Sequence, residues 1–309
     1  MNTPNLSGCG VPPGVSVIIP TTGEKSRALL LYRAIESVLP QKNVDLELII
    51  VVNGNRVCEE LYDRLRADQR LQLVRRDIGS LPAAQRHGRG LVTKEYFTLL
   101  DDDDELLPEA LSVRSSVLNE DQSADLVVSN GYVTYDGAKD ELHVKDFGFA
   151  RGDPLAALMQ KNWLASCGAL FRTRTISIEF FDGVTKYHEW TLLAVRILLA
   201  NRRVVFLDQP TFRKHEEIAG SLSKSEAYRN SALGFLEGML SFDMPRHART
   251  ELKKKLGRTL HFKADEYRRH GDLRSAWAYH FRSMRYPGSW RYFLYTRKLL
   301  LQAGRRGKN

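Results

Sequence analysis

Cysteine is scarce in this 309-residue sequence, which contains three. Cys9, Cys58 and Cys167 are widely spaced and odd in number, so they fit neither a zinc site nor a disulfide framework, and they favour a reducing compartment. Long apolar runs are also missing, since none reaches the roughly 18 residues of a membrane-spanning helix. Residues 1–13 lack the charged-then-apolar pattern of a secretory signal peptide. We therefore expect neither a membrane span nor a secretory leader.

Two phosphate-binding fingerprints are absent as well. No G-x-G-x-x-G follows the first apolar run, which excludes the dinucleotide-binding motif. No G-x-x-x-x-G-K-[ST] occurs, which excludes a P-loop. Any nucleotide site in this chain would need a different loop chemistry.

The net charge of +9 is unevenly distributed. Residues 246–309 hold 18 Lys and Arg against 4 Asp and Glu, whereas residues 1–245 hold 28 Lys and Arg against 33 Asp and Glu. A mildly acidic body is thus followed by a strongly basic tail. This asymmetry predicts an anionic partner for the tail, such as a membrane surface, a nucleic acid or a polyanionic substrate.

Apolar runs alternate with helical patterns through the first hundred residues. The runs occupy residues 15–20, 46–52, 71–74 and 96–100. This alternation predicts an α/β fold with a doubly wound, mostly parallel sheet. The loops after the first, second and fourth runs would then share the carboxyl edge of the sheet, where ligands bind in such folds.

The fourth apolar run ends in four consecutive carboxylates, Asp101 to Asp104. Adjacent carboxylates repel one another, and a divalent cation such as Mg²⁺ or Mn²⁺ would relieve that repulsion, because these ions take oxygen ligands. The alternative is a solvated acidic turn that precedes a helix beginning near Pro108. The four acids alone leave both interpretations open.

Beyond Pro108 the pattern changes. A helix is expected to about Leu118, a strand over residues 125–135, a helix over residues 189–200 and a strand over residues 204–207. After Ser225 the patterns are helical throughout.

The first 215 or so residues resemble family 2 glycosyltransferases, which have the GT-A fold. The similar segments are residues 15–21, 46–54, 77–79, 84–88 and 95–108. The resemblance implies a GT-A domain over residues 1–224, with a nucleotide-binding half at about 14–107 and an acceptor half at about 108–224. A basic helical region would follow over residues 225–309. The Q-x-x-R-W motif of processive synthases is absent, which favours the addition of one or a few sugars.

The resemblance also implies a donor site. Asp103 would meet a Mg²⁺ or Mn²⁺ ion, and Asp101 and Asp102 would lie near the ribose and diphosphate. The other implied nucleotide-sugar contacts are Pro20, Thr21, Thr22, Asn53 and Arg86. Three of these depart from the family pattern: Thr22 stands where Tyr is frequent, Asn53 replaces an acid, and the motif around Arg86 is approximate.

Glu189 is the implied general base, because it falls where the family carries an acid at the start of a helix. The alternative is a first-turn Glu that stabilises the helix dipole. His188 is a second candidate base and, with Trp163, a candidate on the acceptor side. His215 resembles a family histidine that closes over the metal; a solvated histidine is the alternative.

The resemblance thus implies an inverting transfer of a sugar from a nucleotide-diphosphate sugar, preferably a UDP-sugar, to a cell-envelope glycan or glycolipid. The protein would be cytoplasmic, with peripheral contact to the inner face of the membrane through its aromatic and basic tail. No nucleic acid is expected as a partner. The alternatives are a degenerate, non-catalytic nucleotide-binding protein, a nucleic-acid-binding protein, and a sugar nucleotidyltransferase, which the lack of a Gly-rich loop disfavours.

Overall fold

The computed structural model describes residues 11–135, 139–184, 186–216 and 226–306. The strands are β1 (Gly14–Thr21), β2 (Asp45–Asn53), β3 (Leu71–Arg76), β4 (Tyr96–Leu99), β5 (Glu105–Leu106), β6 (Leu126–Thr134), β7 (Glu141–Leu142), β8 (Ala169–Arg172) and β9 (Val204–His215). The helices are α1 (Ala28–Val38), α2 (Glu59–Ala67), α3 (Leu81–Leu91), α4 (Ala110–Glu120), α5 (Gly148–Arg151), α6 (Pro154–Gln160), α7 (Glu189–Leu199), α8 (Glu226–Gly238), α9 (Arg246–Arg269), α10 (Leu273–Met284) and α11 (Tyr295–Arg306).

The chain forms two compact units. The first comprises Met1–Phe147 and Leu164–Ile218, and the second comprises Gly148–Trp163 and Ala219–Asn309, in each case as far as residues are described. The segment Gly148–Trp163, which the sequence prediction places in the acceptor half, thus groups with the helical C-terminal region.

All nine described strands lie in one sheet of the first unit, in the order β3-β2-β1-β4-β8-β6-β9-β5, with β7 paired to β6. Strands β3, β2, β1 and β4 are mutually parallel, and β6 and β9 are also parallel. Strand β8 pairs antiparallel with both β4 and β6. The predicted α/β fold, a mostly parallel sheet flanked by helices, is confirmed.

The parallel half forms where the sequence is most continuously apolar. Val15, Val17, Ile18 and Ile19 of β1 are fully buried, as is the stretch Ile49–Val52 in β2. Strands covered on both faces require such runs, because a polar side chain on either face would be buried without water. Helix α1 covers one face through Leu31, Ala34, Ile35 and Val38, which recur at helical spacing.

A short antiparallel pair extends the sheet beyond the acidic stretch. Glu105 of β5 lies opposite Arg213 of β9, and Leu106 lies opposite Phe212. This pairing brings the end of β9 beside Asp101–Asp104, although the two segments are more than a hundred residues apart in sequence.

The second unit is helical and is built around the 24-residue helix α9. Its described core includes Ala264 of α9, Ala276 of α10, and Tyr295 and Leu299 of α11. Among the described residues, no helix is both long enough and apolar enough to cross a membrane.

Gly88 of α3 provides a test of the packing between this helix and the sheet. A Cβ atom at Gly88 would lie 2.4 Å from Ile18 Cγ2 of β1. We expect Gly88→Ala to reduce the free energy of unfolding by about 1–3 kcal/mol through overpacking. Gly90→Ala in the same helix is the control, because its Cβ would meet only the end of the Ile178 side chain, at 3.1 Å. Urea unfolding followed by circular dichroism measures both, and equal midpoints would contradict the prediction.

Candidate functional site

Three carboxylates converge where β4 ends. One oxygen from each of Asp101, Asp103 and Asp104 lies within 4.8 Å of the others. The Leu100 N–H still donates to Ile18 O of β1 at 2.9 Å, so the chain leaves the sheet only at Asp101. The Asp104 N–H then donates to Asp101 O at 3.1 Å. This tight turn holds the three carboxylates together at the carboxyl edge of the parallel strands.

Asp102 makes different contacts. Its carboxylate accepts a 2.5 Å hydrogen bond from Thr21 Oγ1 and a 2.9 Å bond from Arg27 Nε. Arg27 Nη2 bonds both Asp102 and Asp103, the latter at 2.9 Å. Asp102 therefore anchors the loop after β1 to the acidic turn, and Arg27 balances part of the negative charge.

The end of β9 supplies the other side of the cluster. The His215 backbone N–H donates to Asp104 Oδ1 at 3.1 Å, and the His215 ring bonds Glu105 Oε1 through Nε2 at 2.6 Å. Burial lowers the pKa of Lys214, but the nearby charges of Asp104 and Asp101 outweigh it and raise that pKa above its ordinary value. Lys214 is therefore a cation held close to the acids.

Burial and mutual repulsion raise the pKa values of two of the acids, Asp101 and Asp104. Burial, followed by the charge of Asp103, raises the pKa of Asp101 to about 6, against a hydrogen bond from Ser166. Burial, followed by the charge of Asp101, raises the pKa of Asp104 well above its usual range. Closely spaced, desolvated carboxylates of this kind are stabilised when a cation joins them.

The donor set fits the expected metal. Mg²⁺ and Mn²⁺ prefer carboxylate oxygens, and Asp101, Asp103 and Asp104 offer three with mutual separations that one ion can bridge. Asp103, the predicted ligand, belongs to this group. Among the described residues, the group that has metal-ligand spacing includes neither Asp102 nor His215. A metal role for His215 stays a prediction.

The predicted nucleotide-contacting loops flank the acids. Thr21 Oγ1 accepts from the Gly23 N–H at 3.2 Å, and Pro20 is buried in β1. Asn53 ends β2, and its Oδ1 accepts the Ser80 N–H at 3.0 Å. The Thr22 hydroxyl is buried and lacks a hydrogen-bond partner within the described part of the chain. Thr22 can therefore donate to or accept from a ligand that enters here.

Glu189 is the first residue of α7 and is 8% exposed. One of its oxygens accepts the Tyr187 N–H at 2.9 Å. Burial raises the pKa of Glu189 above its ordinary value, although backbone hydrogen bonds from Glu189 and Tyr187 oppose that rise. The side chain lines a small cleft with Gln85, whose buried Nε2 has no hydrogen-bond partner among the described residues.

The remaining predicted residues are placed as follows. Arg86 forms an ion pair with Asp182, and both side chains are about half exposed. His188 is buried and directly precedes α7. Trp163 belongs to the second unit and is 1% exposed, and its indole N–H donates to Pro154 O at 2.8 Å. The donor and acceptor roles of these three residues stay predictions.

Sequence reasoning did not single out Arg27, Lys214 or Gln85. Arg27 ends a 3-10 turn, Lys25–Arg27, that matches no motif, and its pairing with Asp102 depends on β1 and β4 being neighbours. Lys214 stands between Arg213 and His215 in the segment that marked His215 as a candidate, so its position was the available signal. Gln85 lies in the segment 84–88, which contributed to the family resemblance.

Comparison with known proteins identifies the family. The model of the family described as "Glycosyl transferase family 2" matches residues 16–179, more than half of the chain. The chain belongs to glycosyl transferase family 2. The match covers β1–β4, the acidic turn and the strands up to β8, and it confirms the predicted family.

Two curated relatives are partial matches. WcaA of Escherichia coli (strain K12), whose name describes a colanic acid biosynthesis glycosyl transferase, is 38% identical over 104 residues, which are 33% of this chain and 36% of WcaA. An uncharacterized glycosyltransferase of Rickettsia typhi (strain ATCC VR-144 / Wilmington) is 28% identical over 131 residues, or 42% of this chain and 40% of that protein. This chain thus spans well under half the length of either relative.

Solved structures of S. aureus TarS are similar in fold. The crystal structure of TarS 1–349 in complex with UDP-GlcNAc aligns with a TM-score of 0.59 and 14% identity, over 80% of this chain and 72% of that one. The TarS 1–349 structure described without a ligand gives a TM-score of 0.54 over 84% of this chain. At this level of identity the likeness concerns the fold alone.

Arg27 offers a test of the charge balance in this site. Replacing it with Gln leaves Asp102 and Asp103 without their guanidinium partner, so we expect a loss of about 1–3 kcal/mol in the free energy of unfolding at neutral pH. Arg64→Gln is the control, because its ion pair with Glu60 is two-thirds exposed on both sides and should contribute less than about 0.5 kcal/mol. Thermal unfolding measures both variants, and equal shifts would contradict the role given to Arg27.

Proposed function

We propose that this chain is a glycosyltransferase that moves a sugar from a nucleotide-diphosphate sugar to a hydroxyl group of a cell-envelope glycan or glycolipid. The observation that carries the proposal is the cluster of Asp101, Asp103 and Asp104 at the carboxyl edge of the parallel strands. Family membership supports the reaction class. The complex of TarS with UDP-GlcNAc favours a UDP-sugar as donor, and the name of WcaA favours a cell-envelope product.

The acid cluster would serve the departing diphosphate. A Mg²⁺ or Mn²⁺ ion bound by Asp103, with Asp101 and Asp104, would neutralise the charge that develops on the leaving group. The positive charges of Arg27 and Lys214 offset part of the negative charge of the four carboxylates. Metal assistance is part of the proposal.

The nucleoside would bind between the loops that follow β1 and β2. The unpaired Thr22 hydroxyl can bond a ligand oxygen, and Asn53 lies at the end of β2 where a base edge would approach. The Ser80 N–H donates to Asn53 Oδ1, and this bond restricts the orientation of the amide. Thr21 acts through Asp102, since its hydroxyl donates to that carboxylate.

Glu189 would accept the proton of the attacking hydroxyl. The acceptor oxygen forms a bond to the anomeric carbon, the bond from that carbon to the diphosphate oxygen breaks, and the configuration inverts. The proton passes to Glu189, and the electron pair of the broken bond remains on the nucleotide diphosphate. Burial raises the pKa of Glu189, which makes its carboxylate a stronger base than an exposed Glu.

Nucleotide binding provides the first test. We expect UDP to raise the melting temperature in the presence of Mn²⁺, because a ligand that binds only the folded state stabilises it, and GDP and dTDP to raise it less. Asp103→Asn should remove the Mn²⁺-dependent part of the shift, whereas Asp63→Asn, an exposed acid on α2, should preserve it. A full shift in Asp103→Asn would refute the metal assignment. No shift with any nucleotide would favour a degenerate domain.

The general base provides the second test. Glu189→Gln should lower the rate of sugar transfer by about 10²–10⁴-fold while the UDP-induced shift in melting temperature persists, because the base contributes to the chemical step. The wild-type rate should fall as the pH decreases through the raised pKa of Glu189, since only the ionised carboxylate accepts a proton. Glu120→Gln, at the exposed end of α4, is the control. An unchanged rate in Glu189→Gln would redirect the assignment to His188.

A further inference from the structure

The C-terminal part of the second unit exposes large apolar side chains within a short stretch of sequence. Trp290 is 80% exposed, Phe293 is 69% exposed and Leu294 is 81% exposed, and Leu300 and Leu301 of α11 are each 59% exposed. A set of large exposed apolar side chains this close in sequence is a candidate interaction site. These five residues, called here the apolar strip, need a partner of some kind.

Helical geometry accounts for part of this exposure. Tyr295 and Leu299 point into the core of the unit, where they are 7% and 0% exposed. Residues that lie about half a turn away from these two must face outward. Leu301 fulfils this condition, because it lies about 200° around the helix from Leu299, and Leu300 lies at the side of the same outward face. Phe293 and Leu294 lie in the short turn between the 3-10 turn Ser289–Tyr292 and α11.

Cations accompany the apolar strip. Arg291, Arg297 and Lys298 are exposed within the same stretch. From Arg285 to the end of the sequence there are seven Lys and Arg and no Asp or Glu. Exposed aromatic and leucine side chains interspersed with cations, on a segment without acids, match the boundary of an anionic bilayer, where apolar side chains enter the acyl region and cations meet headgroups.

The composition of the strip separates this partner from two others. A second protein chain would be expected to bury the apolar strip at a surface with few charges at its centre, whereas Arg297 and Lys298 lie between Leu294 and Leu301. A nucleic acid would bind the cations through its phosphates and the aromatic rings through its bases. The three exposed leucines would contribute to neither contact.

We propose that the apolar strip and its cations form a membrane-docking surface that inserts Trp290, Phe293 and Leu294 into the interface of an anionic lipid bilayer. This surface belongs to the second unit. It identifies where the protein would contact a membrane that carries a lipid-linked acceptor, and to that extent it rests on the proposed function. Binding to lipid requires none of the residues assigned to sugar transfer.

Co-sedimentation of the full-length protein with vesicles tests the proposal. We expect binding to vesicles of phosphatidylglycerol and phosphatidylcholine in a 3:7 ratio, at least about tenfold weaker binding to pure phosphatidylcholine, and weakening with added salt. Trp290→Ala combined with Leu294→Ala should reduce binding to the anionic vesicles by roughly tenfold or more, because less apolar area is buried. Arg297→Gln combined with Lys298→Gln should reduce it by a similar factor, at about fivefold for each cation.

Leu29→Ala is the matched control, because Leu29 on α1 of the first unit is 83% exposed, as Leu294 is 81% exposed. It should leave vesicle binding unchanged. All variants replace exposed side chains, so circular dichroism and melting temperature should match those of the wild type. Equal vesicle binding by the Trp290/Leu294 variant, or an equal loss in Leu29→Ala, would overturn the proposal.

Three further outcomes would also decide against the membrane-docking surface. No binding to anionic vesicles would overturn the proposal. A concentration-dependent dimer that is lost in the Trp290/Leu294 variant, without vesicle binding, would assign the strip to a second copy of the chain. Binding to a generic DNA duplex in preference to vesicles would assign the tail to nucleic acid. Glu189→Gln should bind vesicles as the wild type does, so failure of lipid docking and failure of the transfer reaction are distinguishable.

Discussion

The repulsion among four consecutive carboxylates is the constraint around which the first unit is arranged. Four acids at the end of a buried strand would destabilise the fold unless positive charge and hydrogen-bond donors surround them. Arg27 comes from the segment after β1, and Lys214 and the His215 backbone N–H come from β9. The antiparallel pairing of β5 with β9 delivers the second group, since it fixes the end of β9 beside Asp104.

The balance is unequal among the four acids, and this inequality separates Asp102 from the other three. Asp102 accepts bonds from Thr21 and Arg27, so its charge is largely offset by protein groups. Asp101, Asp103 and Asp104 keep oxygens that converge on one volume. Asp102 thus contributes mainly to the fold, and the other three would remain able to hold the proposed cation. Equal neutralisation of all four would leave no site for a metal, and no neutralisation would make the turn too unstable to hold one.

Much of the fold was predictable because it follows from patterns among residues that are close in sequence. The apolar runs of β1, β2 and β4 predict buried parallel strands, and the helical spacing of Leu31, Ile35 and Val38 predicts α1. The antiparallel insertion of β8 between β4 and β6 was not predictable, because strand partners are chosen by contacts distant in sequence. The same holds within the site: four adjacent aspartates are compatible with a metal site or a solvated turn, and the direction of each side chain in the turn after Leu100 follows no period. Arg27 and Lys214 could not be assigned, because they reach the acids only through the pairing of β1 with β4 and of β5 with β9.

The two interpretations of Glu189, helix stabiliser and general base, are compatible in the structure. Its Oε1 accepts the N–H of Tyr187, a residue with φ of 84°, so the bond fixes both the approach to α7 and the orientation of the carboxylate. A base must be held in place as well as ionised, and a carboxylate bound through one oxygen retains lone pairs on the other. Burial raises the pKa while the backbone N–H groups lower it, and the net effect is a rise. The hydrogen bond from Tyr187 therefore offsets part of the rise in the pKa of Glu189 that burial in the cleft causes, while it holds the carboxylate in place.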